Sequence, residues 1–416
     1  MMRAALSVWV LSAVVCLGSG DAAEGRARRS GPEQQLTEPD GHSARLSQVS
    51  SASNAFSFRL YKTLAAQPDS KDNIFFSPIS VTVALAALSV GARGETHQQL
   101  FSSLGLNSSL LTQAEVDRAF QTLLTRSDNT SQDLNAGTAV FVHDSFKPQP
   151  EFLHILKRSY QVDGFTVDFT RTAETTDTIN KYVEEKTNGK IDKLVEDLDP
   201  STLMYLLSYI YYKGQWETQF NPTDTKEEMF NVDEQNKVAV QMMKLKKIFR
   251  VYHDHEAAVS VLHLPLNNSN SMLLILPDKN LMKLEEAFCL KHITKWLKWM
   301  KPRLYTIFLP KLSIKTTYSL KEVLSGMGMQ DIFGFEADFS GISDRQRLAV
   351  SEIAHQATLD LDEVGATAAA GTGIAIVPLS SQMVPVLRFD RPFVVLITDP
   401  ATETILFMGK IVNPNI

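Results

Sequence analysis

The most constraining stretch of this chain is residues 351–382, where a strand-like alternation gives way to a run of very small side chains. In SEIAHQATLDLD (351–362), Ile353, His355, Ala357, Leu359 and Leu361 share one face, while Ala354, Gln356, Thr358, Asp360 and Asp362 take the other. That period of two predicts a β-strand with an inward and an outward face. The strand runs on into LDEVGATAAAGTGIAIVPLSSQ (361–382), which passes two acids and a valine and is then almost all Gly, Ala and Thr. It ends in an apolar stretch closing on Pro378, Leu379 and Ser380. Ala366, Ala368, Ala370 and Thr372 lie two apart and are all small, so they can enter a packed face without overfilling it. An alternating strand followed by a run of such small residues is a strand that could lengthen.

Elsewhere, helical and strand patterns do not alternate regularly, which predicts an α+β fold. Residues 53–66 have helical spacing at Phe56, Leu60 and Leu64, and residues 77–92 read as a helix that is apolar nearly all round. Residues 174–191 read as an amphipathic helix stopped by Asn188-Gly189. Residues 201–216 and 271–278 read as buried strands, and 391–412 as two apolar strands joined at Asp399-Pro400. No internal repeat is evident. With 44% apolar residues the 416-residue chain can bury a large core, and its net charge of −6 argues against a general nucleic-acid binder.

The first twenty residues have a basic start, an apolar centre and a small-residue end, the pattern of a secretory signal removed near Gly20 or Ala23. Residues 21–45 lack periodicity and read as a disordered tail, with a paired-basic run at Arg26-Ala27-Arg28-Arg29. No later run is apolar enough to span a bilayer, so a secreted, extracellular protein is expected. Of the two cysteines, Cys16 leaves with the signal, so Cys289 has no internal disulfide partner and reads as a half-buried thiol. Sequons place possible glycans at Asn107, Asn129 and Asn267.

At Glu363-Val364-Gly365, followed by small residues, the chain resembles the serpins, and the likeness spreads over about 46–416. NIFFSPISVTVALAALSVGARGETHQQL (73–100), YIYYKGQWETQF (209–220), FLPKLSI (308–314), RFDRPFVVLI (388–397) and FMGKIVNP (407–414) resemble motifs of that family, in family order. The likeness is greatest to the α1-antitrypsin/antichymotrypsin-like plasma serpins. It implies an α+β serpin fold of three β-sheets and about nine helices, with an exposed reactive-centre loop over about 363–388. It further implies a non-enzyme: a monomeric inhibitor that a serine endopeptidase cleaves once, forming a 1:1 covalent acyl complex as the loop inserts as a strand. The family's spacing, fourteen residues on from Gly365, puts the reactive bond at Leu379–Ser380, with Met383–Val384 as a second possible cut. Leucine before the bond suits chymotrypsin- or elastase-like proteases, and the absence of Arg or Lys between Gly365 and Val386 argues against trypsin-like ones.

The hinge implied by the resemblance is Glu363, Gly365, Ala366, Thr367, Ala368, Ala369 and Ala370, small from Gly365 on, whereas members that lost inhibition tend to carry charged, bulky or Pro residues there; Ala366 stands where Thr or Ser is usual. The sheet-opening region implied is Ser77, Ser80, Ser208 and His355, with Trp216 near the loop's entry. Ser208 replaces the family's usual Asn, and the shorter side chain alters the bonds open to His355. The alternative function is a non-inhibitory serpin carrying a small apolar hormone.

One further feature is a helix over LKHITKWLKWM (290–300), where Lys291, Lys295 and Lys298 fall within about 60° of one another opposite Ile293, Trp296, Leu297 and Met300. Some serpins bind heparin through the equivalent helix, so a heparin-like glycosaminoglycan is a possible cofactor; a merely solvated basic face is the other reading. His253-Asp254-His255 lacks an evident third metal ligand and reads as a surface turn. Gly371-Thr-Gly is not a dinucleotide fingerprint, and no Gly-x-Ser-x-Gly elbow marks a hydrolase.

Overall fold

The computed structural model describes residues 41–67, 72–128, 134–266, 270–279, 281–344, 348–364 and 383–416, all within one unit, Asp40–Ile416. Helix α1 (Gly41–Ala65) leads to β1 (Ile74–Phe76), α2 (Pro78–Gly91), α3 (Gly94–Leu104) and α4 (Gln113–Asp128). Next come β2 (Leu134–His143), α5 (Pro150–Ile155), β3 (Asp163–Val167), α6 (Thr172–Lys186) and β4 (Met204–Lys213). A run of strands follows: β5 (Lys226–Asn231), β6 (Lys237–Asp254), β7 (Val259–Pro265) and β8 (Ser271–Pro277). Then come α7 (Met282–Ala287), α8 (Leu290–Trp299), β9 (Lys301–Pro310), β10 (Leu312–Ser319) and α9 (Lys321–Gly326). The chain closes with β11 (Glu352–Leu361), β12 (Val386–Arg388), β13 (Phe393–Asp399) and β14 (Thr404–Ile411).

Local chemistry accounts for several boundaries. Ser77 caps α2, accepting a hydrogen bond from the Ser80 N–H, and Pro78 follows in the first turn, where its missing N–H is harmless. Helix α6 is followed by Asn188 at φ 52° and Gly189 at φ 74°, the left-handed stop its sequence predicted. Helix α1 starts earlier than expected. Residues 41–45, assigned to the tail from sequence, form its first turns, because a polar solvent-facing turn carries no apolar period to read. The signal and the rest of the tail lie outside the described residues.

Five strands form one sheet in the order β10-β11-β4-β2-β3. Its centre is the parallel pair β11–β4, in register from Glu352↔Tyr205 to Asp360↔Lys213, while β10 and β2 flank it antiparallel. The second hydrogen-bonded path runs β1-β14-β13-β8-β7-β6-β9-β12, with β5 on β6. The 18-residue β6 pairs first with β5 and then with β7, so the second and third of the three expected sheets meet along it. Nine α-helices lie among the described residues, and the α+β class stands.

The five-stranded sheet is covered on both faces. Ile353 and Leu206 join α1, α2 and α4 in the largest apolar cluster, and Ala357, Leu359 and Leu361 pack with β13 and β14. On the other side, Ala354, Tyr205, Leu207 and Tyr209 pack under α6 and the connector that follows it, through Ile191, Leu194, Val195 and Leu198. Gly137 on β2 is required here, since a Cβ would sit 2.1 Å from the Tyr209 hydroxyl. The expected outward face of β11 is therefore buried too, and only Glu352 and Asp360 within the strand are partly exposed.

Candidate functional site

The residues brought together from the sequence reading lie along the β11–β4 seam, in two groups. The first joins the start of α2 to mid-strand. The Ser77 N–H donates to His355 Nε2 at 3.0 Å, so Nδ1 carries the proton of the neutral ring and donates to Ser208 Oγ at 3.1 Å. Ser77 Oγ and Ser80 Oγ lie 2.9 Å apart. All four residues are buried, His355 and Ser208 at 0% exposure. Burial holds the His355 pKa down at about 3, so the ring is neutral across physiological pH. Ser208, where the family's Asn was expected, still reaches the imidazole through its hydroxyl. One residue thus ties β11 to β4 and to the helix cap behind the sheet. Next to it, Tyr318 and Thr316 of β10 hydrogen-bond the backbone N–H and carbonyl of Phe75 in β1.

The second group anchors the end of β11, where the chain leaves the sheet. Trp216 Nε1 donates to the Asp362 carbonyl at 2.6 Å, and Trp216 is 2% exposed. Glu363 accepts from Thr225 Oγ1 at 2.7 Å and pairs with Lys311 Nζ at 2.7 Å. Burial raises its pKa, but the Lys311 and Thr225 bonds outweigh that and leave it below the usual glutamate range. The Gly214 N–H donates to the Asp360 carbonyl, and Lys213 lies 3.8 Å from Asp362. Val364 is half exposed. Gly365, Ala366, Thr367, Ala368, Ala369, Ala370, Leu379 and Ser380 lie outside the described residues. Met383 is 94% exposed, and Pro385 offers its carbonyl to the Thr306 N–H just before β12. Thr225 and Lys311 were not anticipated: each is more than fifty residues from Glu363, and no local pattern points to them.

The basic face of α8 needs correction. Lys291 and Lys298 are exposed, and Ile293 and Trp296 are buried, as the helical spacing predicts. Lys295 is not a free cation: its Nζ lies 3.1 Å from Asp254 Oδ2 and 2.7 Å from Glu256 Oε2. The bonds to Glu256 and Asp254 raise its pKa above the usual lysine range. Asp254, expected in a surface turn, ends β6 with 2% exposure and also accepts Trp296 Nε1 at 2.7 Å. Cys289 is half-buried, with Sγ 3.3 Å from His292 Nδ1. Asn107 is exposed in the turn after α3, whereas Asn129 and Asn267 lie outside the described residues.

The parallel β11–β4 pair thus sits at the centre of a five-stranded sheet, with the end of β11 anchored by Trp216, Thr225 and Lys311. The profile of the family described as Serpin (serine protease inhibitor) matches residues 51–414, and the chain belongs to this family. Hibernation-specific plasma protein HP-55 of Tamias sibiricus is 37% identical over 408 residues, 97% of each chain. Serpin A3-6 of Bos taurus is 37% identical over 390 residues, 92% of each chain. Among solved structures, human thyroxine-binding globulin complexed with thyroxine superposes with a TM-score of 0.83 at 33% identity, over 89% of this chain and all of its own.

Proposed function

We propose that this chain is a secreted inhibitor of chymotrypsin- or elastase-like serine proteases that acts once, by loop cleavage, acyl trapping and strand insertion. The observation that carries the reading is the parallel β11–β4 pair at the sheet centre, with β11 running directly into the small-residue hinge. A segment folding back from the end of β11 between these strands runs antiparallel to both. One parallel ladder is then exchanged for two antiparallel ones, the slightly more stable pairing. With a net gain of about ten ladder hydrogen bonds at roughly 1 kcal/mol each, insertion releases on the order of 10 kcal/mol, comparable to a domain's whole stability.

In the proposed reaction the protease serine attacks the Leu379 carbonyl, the Leu379–Ser380 peptide bond breaks, and Ser380 leaves as a free amine. The enzyme remains esterified to Leu379, and insertion of 365–379 carries it away from its starting position before water reaches the ester. Met383–Val384 is less suited to be the cut bond. It lies only two residues before the Pro385 carbonyl that Thr306 holds, and a protease needs free extended chain on both sides of its target. The plasma origin in a relative's name fits secretion, and among the described residues no helix is long and apolar enough to cross a membrane.

Incubation with chymotrypsin tests the reading: a band of summed mass that survives denaturing electrophoresis is expected. Leu379→Arg should abolish that band and produce one with trypsin. Clean cleavage without any adduct contradicts inhibition. The hormone-carrier alternative is favoured by the likeness to thyroxine-binding globulin; saturable binding of thyroxine by calorimetry, with no protease adduct, would select it.

A further inference from the structure

At the end of β11 remote from the hinge, the sheet opens into a cavity of about 840 Å³, the size of a small-molecule site. Its walls are the connector that leads into β4, the end of β10, the start of β11 and the loop around Phe335. Tyr205 lies on the lining at 7% exposure, and its hydroxyl has no hydrogen-bond partner among the described residues. Buried tyrosines usually find such a partner, because burial strips water from the O–H without replacing it. Burial and the charge of Glu352 hold the Tyr205 pKa above the usual tyrosine range, so the group stays an O–H.

Glu352 is the register partner of Tyr205 across the β11–β4 pair, so both side chains stand on the same face of the sheet. Its carboxylate accepts from Ser319 Oγ at 2.8 Å and from the Ile353 N–H at 2.8 Å, and among the described residues no Lys or Arg pairs with it. Burial raises its pKa above the usual glutamate range, the mark of a carboxylate with no cation against it. Asp197 and Asp199 add two more carboxylates to the lining, also without an ion-pair partner among the described residues. The single cation on the described lining, Lys321, is turned to the Phe333 ring, with Nζ 5.9 Å from its centre. Three acids thus face one lysine in a cavity whose apolar wall includes Leu198, Phe333 and Phe335, the last 86% exposed at the rim.

We propose that this cavity binds a small organic ammonium ion with an aromatic or alkyl body. The ammonium donates to the Glu352 carboxylate and the Tyr205 hydroxyl, and the body lies against Leu198, Phe333 and Phe335. Charge selects the sign of the ligand: an anion would meet the three acids, and a neutral apolar molecule would bury Glu352 and Tyr205 without giving either a new partner. The aromatic wall adds cation–π attraction for an ammonium. The proposal needs neither the inhibitory reading nor the carrier alternative, whose ligand is an apolar hormone.

The test titrates tryptamine into the full chain by calorimetry, with indole-3-acetate as a probe of the same ring and opposite charge. Tryptamine should bind saturably at one site with a Kd of about 100 μM or tighter, and indole-3-acetate at least about ten-fold more weakly. Glu352→Gln should weaken tryptamine about ten-fold, and Tyr205→Phe about three-fold. Phe335→Ala, at an exposed position where truncation leaves the core intact, should weaken it about three-fold, which keeps the idea open to refutation if the Glu352 variant misfolds. No saturable tryptamine binding at millimolar concentration overturns the proposal. Binding that is unchanged in Tyr205→Phe and Phe335→Ala overturns it too, because the amine then sits elsewhere. Equal affinity for indole-3-acetate refutes the cation assignment, since the acids then do not select the charge.

Discussion

His355 does at one position what most proteins spread over several. Buried and neutral, it accepts from the Ser77 N–H and donates to Ser208, so it needs one proton and tolerates no second. Its pKa of about 3 in the folded chain lies below the roughly 6.5 of a free histidine. The unfolded chain binds the extra proton first, so stability from this residue is fully present above pH 6.5 and is lost as pH falls toward 3. The slope is at most about 1.4 kcal/mol per pH unit. Comparing melting of wild type and His355→Gln, we expect wild type to lead at pH 7.5 and the gap to close or invert by pH 4. A gap constant over that range would show that the ring does not titrate with unfolding. Residue-level detail of this kind was only partly legible in the sequence. His355 and its serines were marked by resemblance, and Ser208 Oγ lies 3.1 Å from His355 Nδ1. Lys295 was misjudged, because a helical wheel shows which residues share a face but not that Asp254 and Glu256 of another element reach across to it.

At the scale of elements, the end of β11 is held by ion pairs from Lys311 to Glu363 and from Lys213 to Asp362, and by hydrogen bonds from Trp216, Thr225 and Gly214. Glu363→Ala removes the Lys311 and Thr225 contacts and should lower stability by about 1–2 kcal/mol. Amide exchange should quicken at the last residues of β11 and in β10, where Lys311 leads in, and remain unchanged near His355. Exchange that quickens along the whole strand would mean that Glu363 holds the sheet and not only its end. For α8, Lys291→Ala and Lys298→Ala should weaken retention on heparin if the helix binds it. Lys295→Ala should mainly lower the melting temperature, since it leaves the Asp254 carboxylate buried without its cation. Heparin retention that falls most with Lys295→Ala would contradict this division. Strands and helix stops were the most readable features: β4, β8, β13 and β14 are continuous apolar runs, and Asn188-Gly189 marked its helix end directly. The outward face of β11 was not readable. Gln356 and Thr358 look solvent-facing by period, yet both are buried.

For the molecule as a whole, the account requires a native form that is not the most stable arrangement of its own chain. Its persistence is then a matter of barriers, so that rates describe it better than an equilibrium unfolding energy. The buried His355 and the anchored end of β11 hold the five-stranded state in place, while the parallel pairing weighs against it. The most direct measurement is the melting temperature before and after a single nick at Leu379–Ser380. Release of about 10 kcal/mol predicts a rise of roughly 15 °C or more. An unchanged melting temperature, with both halves still associated, would contradict strand insertion and the function built on it.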